Sequence, residues 1–346
     1  MLTELQARRL VDDYKDNVVS IDDVKGLARD GAMPRLRGES VNPYYGKVRA
    51  NFFGSGLVTP NGVPVRALLT TDNLSAYDDV KGVVPFKAQI LNALSNHMER
   101  LVTGILPSSQ LSTPGSRVVL AENCIPIDME MVLRRYMAKS KTETSLYHAY
   151  VNLGKREFCG HEFPEGLVAN SKLPSLVDTP STKDREGGHD ISVTPNFLIE
   201  NGLVSQEDYD FVMAKSSEAF RRGEEYLEEH GIILVDTKFE LGRNTLGDIC
   251  FIDEILTLDA SRYWLMTDYL EKFARREDPV SYSKEHARGL VTKKGKLTPE
   301  QIVEVAVRYI MAYQLIMGEE FVPDLRDAKE AIVEDTNNGL EELLAA

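Results

Sequence analysis

Residues 231–241, GIILVDTKFEL, restrict the fold of this chain more than any other stretch. Four consecutive large aliphatics, Ile232 to Val235, suit a strand buried on both faces. The run then alternates, with Asp236, Lys238 and Glu240 interleaved among Thr237, Phe239 and Leu241. Successive side chains of a strand point to opposite faces, so the three charges share one side. Two readings fit this pattern. One is an antiparallel strand with a solvated face, and the other is a strand lining a cleft, with carboxylates for a metal ion and a lysine for an anion.

The following segment separates them. RNTLG (243–247) is a short polar connection containing a glycine, and DICFIDEILTLD (248–259) reads as the returning strand of a hairpin. Asp253 falls on the face of Ile249 and Phe251, where alternation predicts a hydrophobe. An antiparallel return brings it within a few rungs of Glu240. Two carboxylates facing one cleft suit Mg²⁺, which takes oxygen ligands and often binds one or two carboxylates together with nucleotide phosphates. The cleft reading therefore outranks the solvated face.

At 346 residues the chain has room for two domains, or one large α/β domain with additions. Its net charge of −14 argues against broad nucleic-acid binding, which needs a basic surface, but leaves room for a local basic pocket. The three cysteines have no CxxC spacing, and their odd number fits a reducing compartment. The N-terminus lacks an apolar signal core, and no window approaches 18 apolar residues. A soluble cytoplasmic protein with no membrane partner is expected.

Along the chain, residues 1–40 read as a helical extension and 331–346 as an acidic tail, mobile or weakly docked. NPYYGKVRANFFGSG (42–56) suggests a strand and a tight turn at Gly46, and RALLTTD (66–72) a further strand. NLSAYDDVKGVVPFKAQ (73–89) reads as loop and 88–102 as helix, while the β-branched and aromatic content of IPIDMEMVLRRYMA (125–138) favours strand. Residues 170–196, with three prolines and a Gly-Gly pair, read as a long functional loop. Ser205 caps one later helix. Thr298, with Pro299 behind it, caps another.

KLPSLVDTPSTKDREGGHD (172–190), GIILVDTKFELG (231–242) and IDEILTLDASRYW (252–264) together resemble the signature blocks of the SAICAR synthetase (phosphoribosylaminoimidazole-succinocarboxamide synthase) family of purine biosynthesis. GKVR (46–49), TDNLSAYD (71–78) and EMVLRRYMAKS (130–140) resemble its earlier blocks, and the likeness spans roughly residues 42–318. It implies an α+β, two-lobed fold with a kinase-like, nucleotide-binding N-terminal lobe over 41–128, a C-terminal lobe for substrate and metal over 129–330, and an ATP-grasp-like nucleotide cleft. It also implies an ATP-dependent ligase that joins carboxyaminoimidazole ribonucleotide to L-aspartate through an acyl phosphate, with ATP and Mg²⁺. A homo-oligomer is left open. The rival reading is a small-molecule kinase using the same ATP cleft.

The resemblance assigns Glu240 and Asp253 to Mg²⁺, with Lys238 neutralising phosphate or substrate charge between them. Asp236 is read as an orienter of ligands or as a residue holding the strand end. Gly46, Lys47 and Arg49 are expected on the ATP phosphates. Glu130 is expected between the lobes, a solvated strand-end glutamate being the rival. Arg134 and Ser140 match positions for the ribonucleotide phosphate, and Arg262 is expected on a nearby substrate anion, where a planar guanidinium makes paired bonds. Asp259 and Ser261 share that block, although Ser261 could merely cap the next segment. Lys183 and His189 are expected on a closing loop near the substrate anions or aspartate. Asp72 and Ser75 resemble a substrate-proximal turn, which Asp72 could equally cap. Lys139 stands where the family commonly has glycine. Lys87 lies in a stretch that departs from the family pattern, as does the ANFF that follows GKVR.

Overall fold

The computed structural model describes residues 1–140, 142–183 and 190–345. Two antiparallel sheets carry the fold. In the first, strands run in the order Asn42–Tyr45, Arg49–Val58, Pro64–Thr70, Val118–Glu122 and Gln110–Gly115. The second is built on two twelve-residue strands, Ile125–Tyr136 and Ile232–Arg243, paired antiparallel. The outer edge of Ile125–Tyr136 takes Lys172–Asp178 and Ser181–Thr182, and the outer edge of Ile232–Arg243 takes Ile249–Phe251 and Ser261–Leu265. Asn123 and Cys124 carry the chain from the first sheet to the second.

The opening stretch behaves as its pattern requires. Ile232 and Leu234 join the main core with Phe220 and Leu227 of helix Gln206–Glu229, while Ile233 and Val235 pack on the opposite face with Tyr136, Trp264 and Tyr269. Phe239 and Leu241 return to the main core. Unbroken alternation would not allow even-numbered and odd-numbered residues to share that core. The register shift between Leu234 and Asp236 against Ser261–Leu265 resets it. Below this irregularity the charged residues face away from the core, toward the space between the sheets.

Several elements differ from the sequence reading. Residues 73–83 form a hairpin, Asn73–Ala76 with Asp79–Val83, whose turn holds Tyr77 and Asp78 at φ 53° and 60°. Such a turn ordinarily announces itself by Asn-Gly, which is absent here. Residues 172–178 and 181–182 are strands. Their pairing slips between Lys172 and Val177, around Pro174, which cannot donate to the ladder. The hairpin with the turn before Asp248, the strand at 125–136 and the helices capped by Ser205 and Thr298 form as expected.

The acidic C-terminus is docked. Helix Ala328–Ala345 buries Ala328, Ala331, Ile332, Gly339 and Leu340, a helical stripe hidden among its acids. Ala328, Ile332 and Leu340 share a core with Val24 and Ala28 of helix Ile21–Asp30 and with Phe52 and Leu69 of the first sheet. Gly339 permits this approach, because a Cβ there would lie 2.5 Å from Pro114. Among the described residues, no helix is long and apolar enough to cross a membrane.

Candidate active site

Register alone assembles two polar rungs on the exposed face of the second sheet. Asp236 sits opposite Arg134 on one neighbouring strand and Arg262 on the other. Glu240 sits opposite Glu130, which in turn faces Ser181. Lys238 lies between the rungs, beside Val132. The spacing of two along one strand therefore places three charges over partners supplied by three other strands.

The lower rung is a chain of charge-assisted bonds. Lys238 Nζ donates to Glu130 Oε1 at 2.7 Å and to Glu240 Oε1 at 2.6 Å. Ser181 Oγ donates to Glu130 Oε2 at 3.0 Å, and Lys183 Nζ donates to Glu240 Oε2. Burial pushes the Glu240 carboxyl up, but Lys238 and Lys183 outweigh it and hold the group at about 2. Burial likewise opposes the charge on Lys238, yet Glu240 and Glu130 raise its pKa above the ordinary lysine value. Lys238 is therefore an ammonium near neutral pH, suited to meeting negative charge and not to taking a proton.

The upper rung is an Arg–Asp–Arg clamp. Arg134 Nη1 donates to Asp236 Oδ2 at 3.1 Å, and Arg262 Nε lies 2.9 Å from both carboxylate oxygens. Burial disfavours the Asp236 charge, and the two guanidiniums more than offset it, lowering the pKa. Arg134 is fixed further by Thr179 Oγ1, which accepts from its Nε at 2.8 Å. Asp236 thus orients both arginines.

Two cavities adjoin this face. One, of about 370 Å³, is lined by Arg134, Ser140, Asp259, Ser261 and Arg262, all expected there, and by Glu130. Lys284 and Arg288 also line it, and the sequence reading missed both. Their signal was a basic pair at i and i+4 after Ser283, the N-cap of helix Lys284–Leu290, which puts them on one helical face. The other cavity, of about 550 Å³, is lined by Gly46, Lys47, Arg49, Glu240 and Asp253, which the resemblance groups around ATP and metal, by Lys183, which it assigned to the substrate side, and by Arg66 and Glu254, which it did not name. Lys238 lines both.

Asp253 follows strand Ile249–Phe251 and is paired with Arg49, whose Nη2 also reaches Glu254 Oε2 at 3.3 Å. The pairing of Leu241 with Phe251 would carry Asp253 to the core face that Phe251 occupies, but the strand ends at Phe251, and beyond it Asp253 lines the same cavity as Glu240. Among the described residues, no three acidic, histidine or cysteine side chains cluster as a complete metal cage. Two carboxylates beside Lys47, Arg49 and Lys183 instead fit a Mg²⁺ that draws its remaining ligands from phosphate and water.

Other expected residues stand elsewhere. Asp72 is fully buried, accepts the N–H groups of Val19 and Ala88 at 3.0 Å each, and lines neither cavity. Its pKa is raised by burial. A carboxylate bound to two backbone amides holds the segment together, and the expectation of substrate contact is corrected accordingly. Ser75 is buried behind the cavity wall, where its Oγ accepts from Lys284 at 3.3 Å. Asp259 takes Lys87 Nζ at 2.9 Å and the Tyr309 hydroxyl at 2.7 Å, so Lys87 anchors the wall from within. Burial works against the Asp259 charge, but Lys87 and Lys284 hold its pKa well below the usual range. Lys139 pairs with Asp278 at 2.7 Å, and its carbonyl accepts from Arg262 at 3.3 Å. His189 lies outside the described residues.

Comparison with known proteins identifies the family. The sequence model of the SAICAR synthetase family matches residues 43–304. The phosphoribosylaminoimidazole-succinocarboxamide synthase of Legionella pneumophila (strain Paris) is 39% identical over 291 residues, covering 81% of this chain and 89% of that one. The chloroplastic synthase of Arabidopsis thaliana is 37% identical over 287 residues, covering 80% and 69%. Among solved structures, the SAICAR-synthase from Saccharomyces cerevisiae complexed with SAICAR superposes with a TM-score of 0.64 at 25% identity, covering 82% of this chain and 97% of that one. A type-2 SAICAR synthetase in complex with ADP shares the fold, with a TM-score of 0.61 at 19% identity over 82% and 100% of the two chains. This chain belongs to the SAICAR synthetase family.

Proposed function

We propose that the two cavities divide between them the reaction of this family, ATP-dependent ligation of 5-amino-1-(5-phosphoribosyl)imidazole-4-carboxylate to L-aspartate. The observation that carries this reading is Lys238, a fixed cation on the wall common to both cavities. The larger cavity would take ATP, its phosphates against Lys47, Arg49 and Lys183. The smaller would take the ribonucleotide, its phosphate on Arg134, Ser140 and Arg262, with Lys284 and Arg288 facing the remaining anions.

A carboxylate is a poor acyl donor because oxide would have to leave. Its oxygen therefore attacks the γ-phosphorus of ATP and ADP departs, giving an acyl phosphate. The amine of aspartate then attacks the carbonyl carbon, phosphate leaves, and the nitrogen loses a proton. The protein's contribution is positioning and charge. Glu130 and Glu240 keep the Lys238 ammonium charged and aimed at the shared wall, where negative charge passes from one substrate to the other. Glu240 and Asp253 are the residues that would hold Mg²⁺, which supplies further charge neutralisation to phosphate oxygens.

A small-molecule kinase would require the larger cavity, but not five basic residues around the smaller one. Free thiols at all three cysteines agree with a reducing compartment, and we assign the protein to the cytoplasm. Oxygen tracing tests the reaction. With ¹⁸O in the ribonucleotide carboxylate, one labelled oxygen should appear in the released phosphate, because that oxygen bridges carbon and phosphorus. Unlabelled phosphate would refute the acyl phosphate.

A further inference from the structure

Cys124 and Cys250 belong to no part of the chemistry above. They come from segments 126 residues apart, and their sulfurs lie 3.4 Å from each other. Cys124 is in the two-residue connection between the sheets, and Cys250 is in the short strand that leads to Asp253 and Glu254. Both are buried. The room for the pair is made by Gly242, which lies directly opposite Cys250, and a Cβ on Gly242 would stand 3.3 Å from the Cys124 Cβ. The two sulfurs therefore meet over a residue that has no side chain. Closing 3.4 Å to a covalent sulfur–sulfur bond of about 2.05 Å asks for a movement within reach of side-chain rotation.

We infer that Cys124 and Cys250 form an oxidation site, at which a hydroperoxide converts the dithiol to an intrachain disulfide that slows the enzyme by tying the connection between the sheets to the strand that leads to the cavity acids. The chemistry balances with hydrogen peroxide as oxidant. The Cys124 thiolate attacks the O–O bond, forming S–O and releasing hydroxide. The Cys250 sulfur then attacks the sulfenic sulfur, S–S forms, S–O breaks, and the hydroxyl leaves with the thiol proton as water. Two thiols and one peroxide become one disulfide and two waters.

Cys124 is the better first nucleophile. A hydrogen bond from Cys250 lowers its pKa, against the opposing effect of burial. Cys159 serves as an internal comparison, since burial drives its thiol up to about 12. The consequence for turnover follows from position. A substrate cleft between two sheets opens and closes through the segments joining them, and such motions commonly limit turnover.

The test uses the folded full chain, exposed to hydrogen peroxide and then digested without reductant. A mass corresponding to peptides 124 and 250 joined, and a fall in kcat of about threefold or more that dithiothreitol reverses, are expected. Cys250→Ser should give neither effect, while Cys159→Ser should behave as the parent. Absence of the joined peptide, or its formation with unchanged turnover, would overturn the inference. The peptide mass is read on the unmodified sequence and does not depend on any variant folding. Nor does it depend on the ligase reading, so failure of either can be recognised separately.

Discussion

Arg134 and Asp236 face each other across adjacent strands, Nη1 to Oδ2 at 3.1 Å, and Arg262 closes on the same carboxylate from the other side. The acid's role is geometric, since it fixes the forks of both guanidiniums toward the smaller cavity. Arg262→Ala should therefore raise KM for the ribonucleotide about tenfold or more, leaving KM for ATP close to its starting value. Asp236→Asn should move the same parameter in the same direction, because both forks lose their anchor. Steady-state kinetics with each substrate varied in turn decides, and an ATP-specific loss would reassign the cavity.

Asp253 lines the larger cavity with Arg49 as its partner. Asp253→Asn should leave the far-UV spectrum unchanged and reduce kcat about 100-fold or more, as a metal-binding carboxylate loses its charge. Near-normal turnover in folded protein would remove Asp253 from the magnesium site. Raising free Mg²⁺ should recover part of the loss if the residue binds the ion.

Glu240 carries a pH signature. Its carboxyl lies at about 2 in the folded protein, against an ordinary 4.5, so the ionised form favours the native state. That stabilisation is complete above the unfolded value and is lost as pH falls from there toward the folded one. Urea midpoints should therefore decline between about pH 6 and pH 3, and Glu240→Gln should flatten part of that decline. An identical slope in the variant would show that the lysines do not hold Glu240 as described.

Helix Ala328–Ala345 is part of the first lobe's core. Truncation after Asp327 removes the buried Ile332 and Leu340, a loss on the order of 3–6 kcal/mol by apolar burial. The thermal midpoint should fall by several degrees or more, or the shortened chain should not fold. An unchanged midpoint would mean that the helix contributes nothing to the lobe.

What could be read from sequence follows the range of each signal. The face shared by Asp236, Lys238 and Glu240 was legible because strand alternation is local, whereas Asp253 reaches the cavity not by the alternation read for it with Ile249 and Phe251, which face the core, but because the strand ends before it. The bulge at Leu234–Asp236 was not, since it depends on pairing with residues near 262. Asp72 was misplaced because the resemblance put it in a substrate-proximal turn, whereas its partners are amides of Val19 and Ala88 from two distant segments. The C-terminal helix was overlooked for a related reason. Its apolar stripe is narrow and interrupted by acids, and it gains meaning only against the first sheet and helix Ile21–Asp30. Lys284 and Arg288 lay outside the blocks that drew the eye, though their spacing was available.

The central claim is that Lys238 stands where a phosphoryl group passes from ATP to a carboxylate that aspartate then captures. ADP release by the purified protein, with ATP and Mg²⁺ and with the ribonucleotide and L-aspartate added separately and together, tests it most directly. Sustained ADP formation only when both are present, matched mole for mole by the succinocarboxamide product and abolished in Lys238→Met, is the expected result. ADP formed with the ribonucleotide alone at a rate indifferent to aspartate, or full turnover in Lys238→Met, would contradict it.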